Sequence, residues 1–369
     1  MPGSPIRVGF VGLSTRGWAS TTHGPALLSL SDKYTLTAVS TSSPESASET
    51  AAKFTESTGH PVKAYHGSSE SIANDPDVDL VAVSVKAPMH KDAALPAIAA
   101  GKNLFLEWPA GVRLGETVEL AEAGRKQGVK TFVGLQDRQS RAFKKVQELL
   151  TEIGPVRSTT TIITGAREVM AWGPIVHESN TWVLDPKSGS SAATIYLGHL
   201  LDAFTQALGD FEYVNTTAEV LYPVSKVVRG NATEGVEDSG RTIQSTLPDH
   251  VAVTGKLKSG AVASIILRVG LKTTEGRRQF LWEIDGEEGS IRVEGPNFMT
   301  FGDCNVYLNG KLVQELQEGS VMVKGVTAAW IEFAKGEEGD YPTLDDAVKV
   351  RHLIESIERS AIEGRRVHI

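Results

Sequence analysis

A glycine-bearing segment near the start of the chain carries the clearest chemical signal. It reads GLSTRGW over residues 12–18, a G-x-G-x-x-G pattern with serine in place of the second glycine. A strand-like run, Ile6–Gly12, precedes it, and a helix-like run, His23–Ser31, follows it. Gly12 permits a tight turn and Gly17 permits close packing, so N–H groups at a helix start can meet a pyrophosphate. The pattern predicts a dinucleotide-binding turn, and a glycine turn without a ligand is the alternative.

Polar side chains of this turn are candidates for direct contact with the dinucleotide. Ser14 crowds the approach but can donate a hydrogen bond, and Arg16 can add a positive charge beside phosphates. Trp18 falls in the first turn of the following helix, where it can pack against the rim of a cofactor. The predicted contacts from this segment are Gly12, Ser14, Thr15, Arg16, Gly17 and Trp18.

The end of the second predicted strand bears on which nicotinamide cofactor would bind. Proteins that prefer NAD usually place an acid there to hold the ribose diol. Here the strand ends in hydroxyl side chains, Ser40, Thr41 and Ser42, and Asp32 lies before the strand in a loop. Hydroxyls can accept a 2′-phosphate that a carboxylate would repel. The sequence therefore favours NADP over NAD, with NAD as the alternative.

Short apolar strands alternate with helices over the first 140 residues. The predicted strands are Ile6–Gly12, Tyr34–Thr41, Asp79–Val85, Asn103–Leu106 and Thr131–Leu135. The predicted helices are His23–Ser31, Pro44–Thr58, Lys91–Ala100 and Leu114–Gln127. Such alternation is typical of parallel βαβ units, because helices cover both faces of the sheet. Residues 1–140 are therefore predicted to form a Rossmann-type, doubly wound parallel sheet.

The pattern changes to period-two alternation after residue 140. Strands are predicted at Val156–Ile163, Tyr213–Leu221, Asp249–Leu257, Ala261–Val269, Phe280–Asp285, Ser290–Glu294 and Asn305–Leu308. Helices are predicted at Arg141–Glu152, Ala193–Leu208 and Asp345–Glu363. The overall class is α/β, with residues 141–369 forming an α+β domain with an open, mostly antiparallel sheet. Helix 345–363 is expected to pack back on the first domain.

The bulk composition excludes several classes of function. The chain has 369 residues, 37 Lys and Arg against 45 Asp and Glu, and a net charge of −8. This balance argues against direct nucleic-acid binding and against docking on an anionic membrane. No run reaches the roughly 18 apolar residues of a membrane span. With one cysteine, the expected inert Cys304, and no secretory leader, the expected location is the cytoplasm, with the nucleus as the alternative.

Four segments together resemble the glucose–fructose oxidoreductase, inositol dehydrogenase and rhizopine-catabolism (Gfo/Idh/MocA) family over nearly the whole chain. They are Gly9–Gly17, VKAPMH at 85–90, FLEWP at 105–109 and GHLLD at 198–202. Within that family the chain is most similar to the branch of fungal galactose/lactose metabolism regulators. The resemblance implies a Rossmann domain followed by an open sheet used for substrate binding and self-association, hence a homodimer. It also implies a second kind of partner, a transcription-activator peptide.

The chain departs from the family's enzymes at two positions. Those enzymes carry Glu-Lys-Pro after the fifth strand, and their lysine helps to position the substrate, whereas this sequence has Trp108 there. An acid often stands four residues before the histidine of the long helix, and this sequence has Ile195. Oxidising an alcohol needs a base, and reducing a carbonyl needs an acid. The remaining candidates are His199 and Tyr196, three residues apart on one helix face.

Each of these candidates also has a structural interpretation. His199 can transfer a proton or can be a buried histidine that pairs with Asp202. Lys86, at the end of the strand Asp79–Val85, is the candidate to replace the missing lysine, or is a solvated lysine. The further cofactor contacts predicted beyond the glycine turn and the second strand are Pro88, His90, Glu107, Trp108 and Gln136.

An irregular stretch before the long helix supplies the candidate substrate contacts, Trp172, His177 and Trp182. Aromatic rings suit the apolar faces of sugars or polycyclic molecules, and loop packing is the alternative. Asp249 and His250 are interpreted as structural, and no spacing of His, Asp or Glu indicates a metal.

Two functions follow from these residues. The first is an NAD(P)-dependent oxidoreductase that acts on a C–OH, C=O or C=N group of a sugar-like or secondary metabolite. The second is a catalytically silent, cofactor-binding transcriptional regulator, which the loss of the lysine and the acid favours. Non-redox chemistry in the same pocket is a third interpretation. The enzyme is preferred because the family's fold is mostly catalytic.

Overall fold

The computed structural model describes residues 4–231, 235–296, 304–315 and 321–369. The chain divides into two compact units, Met1–Gln139 with Ser320–Lys349, and Ser140–Gly319 with Val350–Ile369. The predicted boundary at residue 140 left 320–349 in the second domain, whereas the structure groups this segment with the first unit. The two units are described separately below.

The described helices and strands follow one another in this order. The helices are α1 Trp18–Thr21, α2 His23–Ser29, α3 Pro44–Thr58, α4 Glu70–Ala73, α5 His90–Ala99, α6 Leu114–Gln127, α7 Arg141–Leu149, α8 Gly198–Leu208, α9 Val321–Ala334 and α10 Leu344–Glu363. The strands are β1 Ile6–Val11, β2 Tyr34–Thr41, β3 Lys63–His66, β4 Leu80–Val83, β5 Asn103–Leu106, β6 Thr131–Val133, β7 Val156–Ala166, β8 Ile175–His177, β9 Phe211–Glu219, β10 Val224–Asn231, β11 Gly235–Gln244, β12 His250–Leu257, β13 Val262–Leu271, β14 Phe280–Gly286, β15 Ser290–Gly295, β16 Asn305–Leu308, β17 Lys311–Gln314 and β18 Val367–His368.

The first unit is built on a six-stranded parallel sheet. Its strand order is β3-β2-β1-β4-β5-β6, so the order reverses on either side of β1. Loops that leave β1 and β4 therefore diverge at their carboxyl ends and leave a crevice there. This arrangement confirms the predicted Rossmann-type sheet. The sequence did not predict β3, because its four residues are half-buried or exposed and lack an apolar run.

Helix α9 completes the core of the first unit and was also missed. Its Trp330 is fully buried and its ring centroid lies 4.9 Å from that of Phe105 and 5.2 Å from that of Tyr34. The Tyr34 hydroxyl donates a 2.6 Å hydrogen bond to the Trp330 carbonyl. The segment lacks a clear helical period, because most of its residues are apolar or small. Only its packing against α2 and the sheet shows that it belongs to the first unit.

The second unit contains a nine-stranded sheet in the order β17-β16-β15-β14-β7-β13-β12-β9-β18. Its neighbouring strands are antiparallel except for β7 and β13, as the described residues show. Along β13, Ile265 and Leu267 are buried, whereas Ser264 and Ile266 on the opposite face are partly exposed. The predicted α+β domain with an open, mostly antiparallel sheet is therefore confirmed.

The second unit also contains a small sheet in the order β11-β10-β8 that the sequence did not predict. Strand β11 is exposed along nearly its whole length, so it shows no alternation between apolar and polar residues. A register shift between Val227 and Val228 of β10 further breaks the period of two. In the hairpin β16–β17, Asn309 and Gly310 have φ angles of 50° and 79°, as a type I′ turn requires. Within the described residues, no helix is long and apolar enough to cross a membrane.

The largest side chain of the second unit's core provides a stability test. Trp282 is fully buried, stacks on Phe204 at 5.8 Å and donates a 2.9 Å hydrogen bond to the Thr159 hydroxyl. We expect Trp282→Ala to lower the free energy of unfolding by about 3–5 kcal/mol, measured by chemical denaturation of the full chain. Leu281→Ala, on the partly exposed face of the same strand, is the matched control and should cost clearly less. Equal losses would contradict the assigned core face.

Candidate functional site

The turn after β1 is shaped by a close approach of two backbones. Gly12 has a φ of 89°, and its N–H donates a 2.8 Å hydrogen bond to the Ser40 carbonyl of β2. A Cβ at this position would overlap the Ser84 carbonyl oxygen and lie 2.8 Å from a methyl group of Val85. Gly12 is therefore required by packing against the end of β4 as well as by its backbone conformation.

Further along, the turn opens toward solvent. Ser14 bonds within the turn, because its hydroxyl donates to the Arg16 carbonyl at 2.5 Å and accepts from the Arg16 N–H at 3.3 Å. Arg16 and Gly17 are exposed. Gly17 has a φ of 96°, its side-chain direction is empty to 4 Å, and no side chain of the described residues caps the start of α1. The predicted phosphate-binding segment is thus an open turn with free space at Gly17.

The predicted ribose-binding residues fall at the end of β2, beside the turn. Ser40 is buried, and within the described residues its hydroxyl has no hydrogen-bond partner. Thr41 is also buried, with its hydroxyl on the Ser43 carbonyl at 3.2 Å, and Ser42 is exposed. The structure therefore brings two of these hydroxyl residues into the core edge and leaves the third at the surface.

Glu107, after β5, is the centre of a hydrogen-bond cluster at the carboxyl edge of the sheet. Its Oε1 accepts from the Trp18 indole N–H at 2.7 Å and lies 2.5 Å from Nε2 of His23. Its Oε2 accepts from the Trp108 N–H at 3.2 Å. A side chain at Gly134, after β6, would overlap the same carboxylate. Glu107 therefore ties the start of α1 to the loops after β5 and β6.

His23 and Trp330 are site residues that sequence reasoning missed. The Trp330 indole N–H donates to Nδ1 of His23 at 3.1 Å, and both side chains are buried. No motif marked His23 beyond its place at the start of a predicted helix. Trp330 lies in α9, whose membership in the first unit the sequence did not indicate.

The remaining predicted contacts of the first unit differ in accessibility. Pro88 and Lys86 are exposed on the loop after β4, and Gln136 is half-buried in a short 3-10 turn, Gln136–Gln139. Trp108 is only 6% exposed, so most of its ring packs within the protein. A fully stacked ligand on Trp108 would need more of the ring to be open than this conformation provides.

His90 is completely enclosed between two loops. Its Nδ1 lies 2.8 Å from the Pro109 carbonyl oxygen, and its Nε2 lies 2.9 Å from that of Val85. Burial lowers the pKa of His90, although both carbonyls and Glu107 act in the opposite direction. The ring therefore joins the loops after β4 and β5 and presents neither nitrogen to a ligand, which differs from the predicted cofactor contact.

Tyr196 and His199 lie at the start of the long helix of the second unit. Residues Ala193–Leu197 form a π-helical turn that runs into α8, so Tyr196 precedes the regular helix that carries His199. Tyr196 is 2% exposed, and burial raises its pKa to about 12. His199 is partly exposed, and Asp202, one turn further, is buried. The more accessible of the two predicted proton carriers is His199.

The predicted substrate residues are only partly exposed. The Trp172 ring lies 5.2 Å from that of Tyr196, and its indole N–H is 3.3 Å from the Ser190 carbonyl. Trp172 and Trp182 pack against a small apolar cluster, Val176, Val183, Leu184 and Val227. His177 bonds within its own turn, to Ser179. Trp172 also borders a narrow cleft that includes Tyr222 and Asp249.

Two interpretations of loop residues can be compared with the structure directly. Asp249 accepts hydrogen bonds from the backbone N–H groups of Leu221 and Tyr222 and from His250. The pair therefore holds the start of β12 to the loop after β9. Cys304 is buried. Among the described residues, no group of three His, Cys, Asp or Glu side chains could hold a metal ion.

A β-sheet with this strand order and a glycine turn at its reversal defines the first unit as an NAD-binding Rossmann fold. The family model for the NAD-binding Rossmann fold of the Gfo/Idh/MocA oxidoreductases matches residues 6–135. The model for the C-terminal domain of Gal80p matches residues 142–295. Dehydrogenase aclE of Aspergillus oryzae is 32% identical, covering 98% of this chain and 97% of its own length. The chain belongs to the Gfo/Idh/MocA oxidoreductase family.

Relatives within the family differ in their roles. The galactose/lactose metabolism regulatory protein GAL80 of Saccharomyces cerevisiae is 27% identical, covering 83% of this chain and 71% of its own length. A crystal structure of a super-repressor mutant of Gal80p from that yeast has a TM-score of 0.86 at 23% identity and covers 99% of this chain and 98% of its own. Levoglucosan dehydrogenase in complex with NADH and levoglucosan has a TM-score of 0.78 at 20% identity, covering 99% of both chains. At these identities, the structures show a common fold.

The two glycines of the turn should differ in their tolerance of a side chain. Gly12→Ala introduces an overlap with the Ser84 carbonyl in addition to the strain of a positive φ, so we expect a loss of about 2–4 kcal/mol in the free energy of unfolding. Gly17→Ala meets only the backbone strain and should cost about 1 kcal/mol. Chemical denaturation measures both. A Gly12→Ala protein as stable as the Gly17→Ala protein would contradict the close approach.

The enclosed His90 makes the stability of the first unit sensitive to acid. Because its folded-state pKa is lowered below the usual value of about 6.5, the unfolded chain binds more protons as the pH falls. Stability contributed by neutral His90 is therefore full above that value and is lost as the pH falls below it. His90→Asn should lower the unfolding free energy by about 1–3 kcal/mol at pH 8 and flatten its decline between pH 7 and 5.

The control for this experiment is His352→Asn, on the exposed side of α10. Unfolding free energies from denaturant titrations at several pH values should keep the wild-type decline in this variant. If His90→Asn declined as steeply as the wild-type protein, the acid sensitivity would have to come from another group.

Proposed function

We propose that the chain is an NAD(P)-dependent oxidoreductase that transfers a hydride between nicotinamide and a C–OH, C=O or C=N group. The observation that carries this proposal is the open turn at Gly17, which follows β1 where the strand order reverses. In doubly wound sheets this is the place where ligands bind. Membership in an oxidoreductase family and the similarity to a dehydrogenase over nearly the whole chain support it.

The residues present fit a nicotinamide dinucleotide. The space at Gly17 and the uncapped start of α1 suit a pyrophosphate, and the buried hydroxyl of Ser40 lacks a partner among the described residues. Arg16, exposed beside Gly17, can balance phosphate charge. In this proposal Ser14 and Thr15 shape the turn, and Trp18 borders it. The nicotinamide ring, when bound, supplies or accepts the hydride.

We propose NADP as the preferred form. Ser40, Thr41 and Ser42 place hydroxyl groups at the end of β2, and His66 ends the neighbouring strand, paired with Thr41. A 2′-phosphate would meet donors there and no carboxylate at these positions. Glu45, in the first turn of α3, is the next acid along the chain. Binding of NADH as tight as that of NADPH would contradict this preference.

His199 is proposed as the group that gives or takes the substrate proton. His199 is partly exposed, whereas Tyr196 is buried. Burial raises the pKa of Tyr196, which makes Tyr196 a poor acid near neutral pH. Tyr196 is therefore proposed to position Trp172, whose ring contacts it, and to assist proton transfer if its hydroxyl is reached. Lys86, exposed after β4, is a weaker candidate for the missing lysine's role.

The substrate is proposed to be sugar-like or a secondary metabolite. Trp172, His177 and Trp182 offer partly exposed aromatic and imidazole surfaces in the second unit. Aromatic rings pack well on the apolar faces of such molecules. A levoglucosan dehydrogenase among the relatives supports a sugar-like substrate.

A catalytically silent regulator is the second candidate. Trp108 stands where the family's enzymes carry lysine, and residues 142–295 match the C-terminal domain of Gal80p. In this case cofactor binding would make the regulator respond to the concentration of the nicotinamide dinucleotide. Its partner would be a transcription-activator peptide. In both cases we propose a homodimer that uses the partly exposed face of the nine-stranded sheet, where Ser264 and Ile266 lie.

Turnover separates the two candidates. The purified chain is incubated with NADPH or NADH and a panel of aldehydes, ketones and imines, and the loss of nicotinamide absorbance is followed. We expect His199→Ala to lower kcat about 100-fold, because it removes the proposed proton-transfer group. Tyr196→Phe should lower kcat less, because the ring that contacts Trp172 remains. Tyr213→Phe, in β9, is the matched control and should keep the full rate. Unchanged rates in both test variants would remove these residues from the mechanism.

The regulator is tested by binding to an acidic activator segment. Binding at micromolar concentration that depends on NADP, together with no turnover on the whole panel, would support the regulator over the enzyme. Turnover without such binding would support the enzyme.

A further inference from the structure

We propose that His23 and Trp330 are positioning residues for the dinucleotide turn, acting through Glu107 on Trp18. The inference rests on the proposed function, because it assigns these residues to the site that would bind the cofactor. The four side chains form one hydrogen-bonded chain, here named the carboxylate strap, within the first unit. It links α9 to the first turn of α1, immediately after Gly17.

The strap has a defined direction. The indole N–H of Trp330 can only donate, so Nδ1 of His23, 3.1 Å away, must offer its lone pair. The hydrogen of the imidazole is then on Nε2, which donates to Glu107 Oε1 at 2.5 Å. A hydrogen on Nδ1 would instead face the indole hydrogen. Trp330 therefore selects the tautomer of His23 that can hold the carboxylate.

Glu107 links the tautomer of His23 to the position of the Trp18 side chain. The oxygen that accepts from His23 also accepts from the Trp18 indole N–H at 2.7 Å. The other carboxylate oxygen accepts from the Trp108 N–H and packs against Gly134. With its carboxylate bonded on both oxygens, Glu107 has little freedom to rotate, and hydrogen bonds to a charged acceptor are among the stronger ones in proteins.

Burial makes this arrangement difficult to replace by water. Trp330 is fully buried, His23 is 2% exposed, and the Glu107 side chain is 13% exposed. The His23 ring also packs 4.9 Å from Phe105. Trp18, by contrast, is only half-buried, and its helix α1 has four residues and no side-chain cap. The indole bond to Glu107 is thus a tertiary anchor on a short helix that local interactions hold weakly.

If the strap positions Trp18, two substitutions of similar size at His23 should affect cofactor binding differently. His23→Gln can still present an N–H to Glu107, whereas His23→Leu cannot. Dissociation constants for NADPH and NADH are measured by calorimetry in the full-length protein. We expect His23→Leu to weaken binding of the preferred form about tenfold or more and His23→Gln to change it less than about threefold. Leu36→Val, in the same apolar core, is the control and should leave the dissociation constant unchanged.

A second measurement keeps the inference independent of cofactor binding. Hydrogen exchange of the Trp18 indole N–H is followed by NMR in the chain without cofactor, and we expect it to be at least about tenfold faster in His23→Leu than in His23→Gln. Equal exchange in both variants would overturn the strap. Wild-type affinity in His23→Leu would overturn its positioning role. Failure of the wild-type protein to bind any nicotinamide dinucleotide would overturn the proposed function, and the exchange rates would then decide the strap alone.

Discussion

The close approach of β1 and β4 at their carboxyl ends is the constraint on which the candidate site depends. Gly12 lies against the Ser84 carbonyl, where no side chain fits, and its N–H is bonded to β2. Three neighbouring strands are therefore held together at the point where their loops diverge. The turn that follows opens toward solvent at Gly17.

Around this edge, polar side chains fix the loops instead of pointing outward. His90 joins the loops after β4 and β5, and Glu107 joins the loop after β5 to the starts of α1 and α2. Two of the residues that the sequence suggested as cofactor contacts thus have structural partners. In our proposal, positioning of this kind keeps the turn in one conformation before a ligand arrives, which would lower the ordering cost of binding.

The two residues proposed as proton carriers in the second unit differ in burial. Tyr196 is enclosed and its pKa is raised, while His199 remains partly exposed three residues later. Tyr196 lies in the π-helical turn Ala193–Leu197, whereas His199 lies in the regular helix that follows it. Trp108 stands at the position where the family's enzymes carry lysine, and His199 is our proposed proton carrier instead.

The sequence by itself determined the fold class, the alternation of parallel strands and helices in the first unit apart from β3 and α4, and the position of the glycine turn. These features depend on local periodicity and on glycines whose φ angles only glycine adopts readily, so neighbouring residues encode them. It did not determine that α9 belongs to the first unit, that β10 and β11 form a hairpin, or that His23 and Trp330 are linked to Glu107. The residues of that link are separated by up to 307 positions along the chain, and no local pattern pairs them. Only the packed tertiary structure decides which buried donors meet which acceptor, because burial is what makes an unpaired polar group costly.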